Sequence, residues 1–157
     1  MKISIISIGK TNEAYLNEGI KIYLSRLKHY TNIEWIELKD VKNSNKLAAI
    51  ELKKKEGEML LSKLDNSDFL FLLDEAGKNY SSRDFSKVIE SQMLNAAKHL
   101  VFHIGGAFGF SDEVYARANQ KISLSKMTFS HQMVRLIFAE QLYRAFSIIK
   151  GEKYHHD

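Results

Sequence analysis

The glycine-rich segment H-I-G-G-A-F-G-F-S-D, residues 103–112, is the first place where residue type and spacing suggest chemistry. Gly105, Gly106 and Gly109 follow an apolar run that is typical of a buried strand, and Ser111 then opens a helix. Glycine allows another group to approach the backbone closely, and ligands of open α/β sheets lie beyond the carboxyl ends of strands. The segment is therefore a candidate binding loop, with a tight helix–sheet turn as the alternative.

Two phosphate-binding motifs resemble parts of the chain but do not fit it. S-I-I-S-I-G-K-T, residues 4–11, has Ser4 where a P-loop requires its first glycine, and its isoleucines indicate a strand rather than a flexible loop. G-G-A-F-G, residues 105–109, lacks the spacing of the dinucleotide fingerprint, and no acidic residue is placed to bind a ribose. A P-loop and a dinucleotide-binding fold are therefore both disfavoured.

Two other strand ends carry residues that suit a binding site. They are L-L-D-E-A-G-K at 72–78 and S-L-S-K-M-T-F-S-H at 123–131. The six histidines, in contrast, do not form a metal site, because His99 and His103 have no acidic or histidine partner at ligand spacing. We expect both to be core or edge residues, and we expect no bound metal.

Strand and helix patterns alternate along the chain. The predicted strands are Lys2–Ile8, Asn32–Leu38, Asp68–Asp74, His99–Ile104 and 121–125. The predicted helices are Asn12–His29, Ser44 or Asn45 to Leu64, Ser81 or Ser82 to Lys98, a short one from Ser111 or Asp112, and Ser130–Ile149. This alternation predicts one α/β domain, residues 1–157, with a mainly parallel sheet flanked by helices.

The composition is that of an ordinary globular protein: 45% of residues are hydrophobic and 27% are charged. There is no apolar run long enough to cross a membrane, and the apolar part of the M-K-I-S-I-I start is too short for a signal peptide. The absence of cysteine is compatible with a cytoplasmic location, which we expect. The net charge of +4 gives only a mild preference for polyanions.

The last predicted helix is apolar on almost every side, whereas a surface helix shows one apolar stripe. The apolar surface of this helix is larger than one buried face can hold, which predicts a second subunit against it. The side chains concerned are Leu136, Phe138, Leu142 and Phe146. Glu140 and Arg144 are one turn apart and are predicted to pair. That pairing leaves Arg135 as the more available cation.

Four segments carry a resemblance to a known family: I-G-G-A-F-G, S-L-S-K-M-T-F-S-H-Q-M-V-R, E-Q-L-Y-R-A-F and G-E-K-Y-H-H. Together they resemble the ribosomal RNA large subunit methyltransferase H family, which belongs to the SPOUT class of S-adenosylmethionine-dependent RNA methyltransferases. The similarity extends over the whole chain and is most specific from Gly105 to His156.

The resemblance implies a C-terminal trefoil knot, a homodimer, and methylation of N3 of a pseudouridine in helix 69 of 23S rRNA on the assembled ribosome. It also implies S-adenosylmethionine as cofactor, held largely by main-chain groups. The matching donor-binding residues are Leu73, Gly105, Leu124, Ser125, Lys126, Met127, Thr128 and Phe129. On this interpretation Gly105 has no side chain so that the donor can lie against its backbone.

The C-terminal tail is implied to reach the reacting base. His155 is the favoured general base, Tyr154 stacks on or orients the target, and Arg135 stabilises the imide anion or holds phosphate. The base itself stays open, because alignment of the reactants alone contributes much of the rate.

Three further residues are implied to bind RNA or line the donor loop: Arg144, His131 and His156. The chain departs from the family at Ser130, where proline is usual, and at His156, where a basic residue is usual. We expect a less rigid loop and a weaker phosphate contact there. A SPOUT methyltransferase of tRNA or another rRNA site, and a catalytically silent ribosome-binding protein, are the alternatives.

Overall fold

A computed structural model describes residues 1–154, in which strands and helices alternate as the sequence patterns predict. The strands are β1 (Lys2–Ile8), β2 (Asn32–Leu38), β3 (Phe69–Asn79), β4 (His99–Ile104) and β5 (Gln120–Ser123). The helices are α1 (Ala14–Leu27), α2 (Ala49–Leu61), α3 (Ser82–Leu94), α4 (Asp112–Arg117) and α5 (Met133–Ile149).

The five strands form one sheet in the order β2-β1-β4-β3-β5, and every neighbouring pair is parallel. The predicted α/β fold with a mainly parallel sheet is therefore confirmed. Register places Ile104 beside both Ser7 and Leu73, and Leu73 beside Ile122. Four strands thus end at one edge of the sheet, where parallel sheets bind ligands.

Helices cover both faces of the sheet, so each face has its own apolar core. On one face α1, α3 and α5 pack over a core in which the rings of Phe71, Phe102 and Phe138 follow one another at 4.7 and 4.9 Å between centroids. On the other face Leu60 of α2 and Val114 of α4 pack against β-strand side chains. Coverage of both faces explains why every residue of β1 and β4 after the first is buried.

The apolar character of α5 has a different cause from the one predicted. Phe138, Leu142 and Phe146 are all 0% exposed within the single chain, because α5 packs against α1 and α3 as well as the sheet. These three side chains therefore give no evidence for a second subunit, and the homodimer stays a prediction. Leu136 is only partly buried, and it lies against Gly19 of α1.

The predicted start of α2 is also wrong. Ser44–Lys46 form a short 3-10 turn, and α2 begins at Ala49 without a side-chain cap. Asn43 has a left-handed backbone with φ of +56°, and Leu47 and Ala48 are extended, so the chain bends twice before the helix. The other predicted caps are confirmed: Ser81 opens α3 and Ser111 opens α4, each accepting a hydrogen bond from a backbone N–H.

The predicted and observed ends of other elements differ by a few residues. β3 continues past the expected end at Asp74 to Asn79, and α5 begins three residues after Ser130. The trefoil knot stays a prediction. In the described part of the chain no helix is both long and apolar enough to cross a membrane, and no three metal-ligating side chains form a cluster.

Candidate active site

A cleft of about 540 Å³ lies at the carboxyl ends of β3, β4 and β5. Its walls are three chain segments, together with Tyr115 and Val134: residues 73–75 from β3, 104–110 after β4, and 122–131 without Lys126 after β5. The three strand ends that the sequence singled out therefore meet at one cleft. Its size is typical of a small-molecule or cofactor site.

The glycine turn after β4 forms one wall. Gly109 N–H donates to Gly106 O at 3.3 Å, and Gly109 has φ of +82°, a conformation that favours glycine. A Cβ at Gly105 would lie 2.7 Å from the ring of Phe110. The missing side chain at Gly105 thus makes room for Phe110, which corrects the expectation that it makes room for a ligand; the backbone of Gly105 still lines the cleft.

A bulge in β3 forms the second wall. The pairing of β3 with β5 shifts register between Leu73 and Lys78. Gly77 permits this, because a Cβ there would lie 2.6 Å from the backbone of Ile122. The extra residues bring Asp74 and Glu75 to the cleft. Bulges next to binding sites commonly redirect side chains in this way.

The loop between β5 and α5 forms the third wall and is stabilised by its own serines. Ser123 Oγ donates to Ser125 O at 2.9 Å, and Ser125 Oγ accepts from Met127 N–H at 2.9 Å. Ser130 Oγ accepts from Met133 N–H at 3.0 Å, at the start of α5. Ser130 therefore contributes a side-chain hydrogen bond to the start of α5.

The predicted donor-binding residues, with one exception, all line this cleft: Leu73, Gly105, Leu124, Ser125, Met127, Thr128 and Phe129. The exception is Lys126, which is absent from the cleft wall although both its neighbours belong to it. His131 also lines the cleft. Their role in donor binding stays a prediction.

Arg135 does not reach the cleft, and the expectation that it is available to a substrate is wrong. Its side chain is 0% exposed. Nη1 donates to Gly9 O and Thr11 Oγ1, both at 3.0 Å, and Nη2 donates to Ile8 O at 2.5 Å. Nε donates to His131 O at 3.1 Å. The guanidinium is therefore occupied in joining the end of β1 to the start of α5.

Arg144 and Tyr154 lie together beside α5, away from the cleft. Arg144 Nη2 is 2.6 Å from Glu140 Oε1, which confirms the predicted pair. Tyr154 Oη donates to the same oxygen at 3.0 Å, and its ring lies under the Arg144 guanidinium and edge-on to Tyr143. Burial, together with the contacts to Tyr23 and Glu140, raises the pKa of Tyr154, so its phenol stays protonated. His155 and His156 lie outside the described residues.

The cleft is also lined by Asp74, Glu75, Phe108 and Tyr115, to which the sequence patterns assign no individual role. The sequence signal for the first two was the D-E-A-G segment itself, whose glycine after an apolar strand is typical of a bulge. Nothing in the local pattern distinguished Tyr115 from an ordinary helical residue.

A second group of polar side chains, away from the carboxyl ends of the strands, has the spacing of a catalytic triad. His99 Nε2 is 2.8 Å from Ser4 Oγ, and His99 Nδ1 is 2.8 Å from Asp68 Oδ1. Ser4 is only 1% exposed, however, and its hydroxyl donates to Glu34 Oε1 at 2.7 Å. A nucleophilic serine needs access to substrate and a hydrogen bond to its base, so this network is structural.

Comparison with known proteins decides the family. The profile of a family described as predicted SPOUT methyltransferase matches residues 1–155. The chain belongs to the SPOUT methyltransferase family. It is 55% identical over 156 residues to the ribosomal RNA large subunit methyltransferase H of Christiangramia forsetii, covering 99% of each chain. It is 51% identical to the protein of that name from Parabacteroides distasonis, over 100% of both chains, and 44% identical to that from Enterococcus faecalis, over 99% of both.

Membership of the SPOUT methyltransferases implies S-adenosylmethionine as the methyl donor, and the cleft suits it. The glycine turn and the loop after β5 expose main-chain groups, Leu73, Ile104 and Val134 provide apolar surface, and Asp74 and Glu75 provide negative charge. An adenine base, a polar sugar and a cationic sulfonium require these three kinds of surface.

Proposed function

We propose that this SPOUT methyltransferase acts on ribosomal RNA, transferring a methyl group to N3 of a pseudouridine in helix 69 of 23S rRNA on the assembled ribosome. The observation that carries the proposal is the cleft, in which three chain segments converge at the carboxyl ends of β3, β4 and β5. Two of them, residues 104–110 and 122–131, contain motifs that resemble the family. The relatives named ribosomal RNA large subunit methyltransferase H support the substrate class, because the chain matches them from end to end.

The donor is held in this proposal by main-chain groups of Leu73, Gly105 and residues 124–129, with Lys126 contributing through its backbone. S-adenosylmethionine, when bound, supplies an electrophilic methyl group on a positively charged sulfur. The protein contributes a rigid wall on each side of it. Such alignment of reactants can lower a barrier by roughly 7–11 kcal/mol in favourable cases.

The N3 imide has to lose its proton before or during transfer, and His155 is the proposed acceptor. Histidine has an ordinary pKa close to neutrality, and a positioned base contributes on the order of 10²–10⁴-fold. Tyr154 does not serve as this base, because its raised pKa keeps the phenol protonated. It is proposed to orient the tail, while Arg144, His131 and His156 contact RNA.

The positions of the cleft and the tail favour a homodimer. Val134 lines the cleft at the start of α5, whereas Glu140, which binds Tyr154, is six residues further along the helix. At 1.5 Å per residue this separates them by about 9 Å along the axis. We therefore propose that the tail of one subunit serves the cleft of the other. Sedimentation at micromolar concentration is expected to give a dimer, and a stable, fully active monomer would contradict this.

The substrate is tested with ribosomes that lack the modification. After incubation with enzyme and donor, mass spectrometry of helix 69 fragments is expected to find one added methyl group on the pseudouridine base. Methylation of tRNA or of another rRNA segment would show that the substrate is a different RNA. Donor binding without methylation of any RNA would favour a silent ribosome-binding protein, so donor affinity is measured in parallel by calorimetry.

A further inference from the structure

We propose that Asp74 and Glu75 make the cleft selective for a sulfonium ligand, so that the methyl donor binds more tightly than its demethylated product. The inference rests on the proposed function, since it takes the cleft to be the donor site. It assigns these two carboxylates a specificity role in that site.

The charge of the cleft is the first observation. The protein as a whole is basic, with 23 lysines and arginines against 19 acidic residues. Among the described residues that line the cleft, the carboxylates are Asp74 and Glu75, and there is no lysine or arginine. His131 is the remaining ionisable lining group apart from Tyr115. The net charge of the cleft lining is thus opposite in sign to the net charge of the protein, which favours a cationic ligand over phosphate.

The second observation is how firmly the pair is held. Asp74 Oδ1 accepts from Ala76 N–H at 2.8 Å, and Asp74 Oδ2 accepts from Tyr115 Oη at 2.6 Å. The first bond is local to the β3 bulge, and the second connects the bulge to α4. Glu75 Oε2 accepts a long hydrogen bond of 3.4 Å from Thr128 Oγ1 in the loop after β5. Asp74 is therefore fixed where the bulge of β3 meets α4, whereas Glu75 is exposed and has this one long bond to the loop after β5.

The negative field acts on a neighbouring group. Burial, the hydrogen bond to Asp74, and the charges of Asp74 and Glu75 raise the pKa of Tyr115 to about 12. The field opposes formation of a second anion at Tyr115, and the same field stabilises a cation in the cleft.

The donor and its product differ in the charge that such a field recognises. Both carry an ammonium and a carboxylate on the amino-acid part, but only the donor carries a positive charge on sulfur. When the methyl group bonds to N3, the electron pair of the sulfur–carbon bond remains on sulfur, which becomes neutral, and the N3 proton passes to the base. The attraction between the carboxylates and the charge on sulfur is therefore lost in the step that forms product.

This role makes a prediction for kinetics. Carboxylates that stabilise the sulfonium act more on the bound donor than on the transition state, where the charge is already decreasing. Replacing Glu75 by glutamine should raise the KM for the donor without lowering kcat. A residue that merely supported the fold of the cleft would lower kcat as well.

The test is calorimetric titration of Glu75→Gln with three ligands: S-adenosylmethionine, the neutral product S-adenosylhomocysteine, and sinefungin, which carries an ammonium group in place of the sulfonium. We expect Glu75→Gln to weaken both cationic ligands by about three- to tenfold, as one partly exposed charge can do, and to change product affinity less than twofold. Glu90→Gln removes an equal charge from the exposed face of α3 and should leave all three affinities unchanged.

Equal weakening of the three ligands, or no change in any, would overturn the inference while leaving the proposed function intact. Failure of the wild-type protein to bind the donor would instead overturn the proposed function, and this inference with it. Tyr115→Phe removes the hydroxyl that binds Asp74 but keeps both charges, so the ratio of donor to product affinity should be retained. Loss of the ratio in Tyr115→Phe would show that geometry rather than charge sets it.

Discussion

Arg135 in the first turn of α5 donates a hydrogen bond to the main-chain oxygen of Gly9, just beyond the end of β1, at 3.0 Å. The two residues are 126 positions apart in the chain. Through Nε the same guanidinium binds the oxygen of His131, which lines the cleft. Arg135 thus positions the last wall of the cleft relative to the central part of the sheet.

Replacing Arg135 by methionine should destabilise the protein strongly. The carbonyls of Ile8 and Gly9 would lose a charged donor in a site that water does not reach. A buried acceptor that is left without its donor typically costs about 1–3 kcal/mol, and two carbonyls lose theirs here. Urea denaturation measures this. Lys10→Met, which removes an exposed charge next to Gly9, should change stability by no more than about 0.5 kcal/mol, and equal losses in both variants would contradict the argument.

Gly105 and Phe110 should prove energetically coupled. A Cβ at Gly105 would lie 2.7 Å from the Phe110 ring, and such overpacking costs about 1–3 kcal/mol. We expect Gly105→Ala to cost this much in the native background and clearly less with Phe110→Leu, where the side chain is smaller. Gly105→Val, which would exclude the donor from an otherwise folded protein if Gly105 only made room for a ligand, should instead reduce stability.

Gly109→Ala is the matched control for this pair. Apart from its chain neighbours, nothing lies within 4 Å of a Cβ at Gly109, but its φ of +82° strains any other residue. Because this strain is in the backbone, its cost should be the same with Phe110 or with leucine at position 110. If a double-mutant cycle finds no coupling between Gly105 and Phe110, the absence of a side chain at position 105 serves ligand binding instead.

The sequence predicted what depends on local pattern. Apolar runs at Lys2–Ile8 and His99–Ile104 became the central strands, and Ser81 and Ser111 became helix caps. The convergence of three strand ends on one site also followed, because parallel strands end at one edge of the sheet.

The errors came from contacts between distant parts of the chain. The apolar surface of Phe138 is buried by α1 and α3 together with the sheet, which helical periodicity does not reveal. The burial of Arg135 depends on carbonyls at the other end of the chain. The case of Gly105 is local instead, because the space beside it is filled by the ring of Phe110, five residues later, where the chain turns back. Residue type alone indicates none of these.

Glu56 should make stability fall as the pH rises. It is 8% exposed, and its carboxyl oxygens lie 2.8 Å from where a Cβ of Gly106 would be. Burial first, and then the charge of Asp40, raise its pKa to about 7. The folded state thus holds this proton more tightly than the unfolded state does, so its contribution is fully present below about pH 4.5 and is lost as the pH rises through 7.

Glu56→Gln keeps the shape and carries no charge, so it should gain stability relative to the native protein between pH 5 and pH 8, by about 1–3 kcal/mol. His103, fully buried, has its pKa lowered to about 4 and produces an opposite slope below pH 6.5, but it is present in both proteins and cancels in the difference. Glu58→Gln, exposed on the same helix, should show a difference that does not depend on pH. Urea denaturation across this range checks both, and a constant difference for Glu56→Gln would contradict the assignment.

The tail should be essential for methyl transfer and dispensable for donor binding. Residues at a terminus usually tolerate deletion, because few contacts hold them, and here Tyr154 contacts α1 and α5 rather than the cleft. Removing Tyr154 to Asp157 should leave the dimer and donor affinity unchanged and abolish methylation of ribosomes. A truncated enzyme that methylates at the full rate would remove the tail from the mechanism.

Single substitutions separate the roles within the tail. His155→Ala should slow methylation at least about tenfold if this histidine accepts the N3 proton. His155→Lys can still hold a phosphate, but a lysine is mostly protonated at neutral pH and is a poor base, so its rate should stay as low as that of the alanine variant. Recovery with lysine would make His155 a phosphate contact. Tyr154→Phe, which loses the bond to Glu140 but keeps the ring beside Tyr143, should reduce the rate less than His155→Ala, because it disturbs the position of the base without removing it.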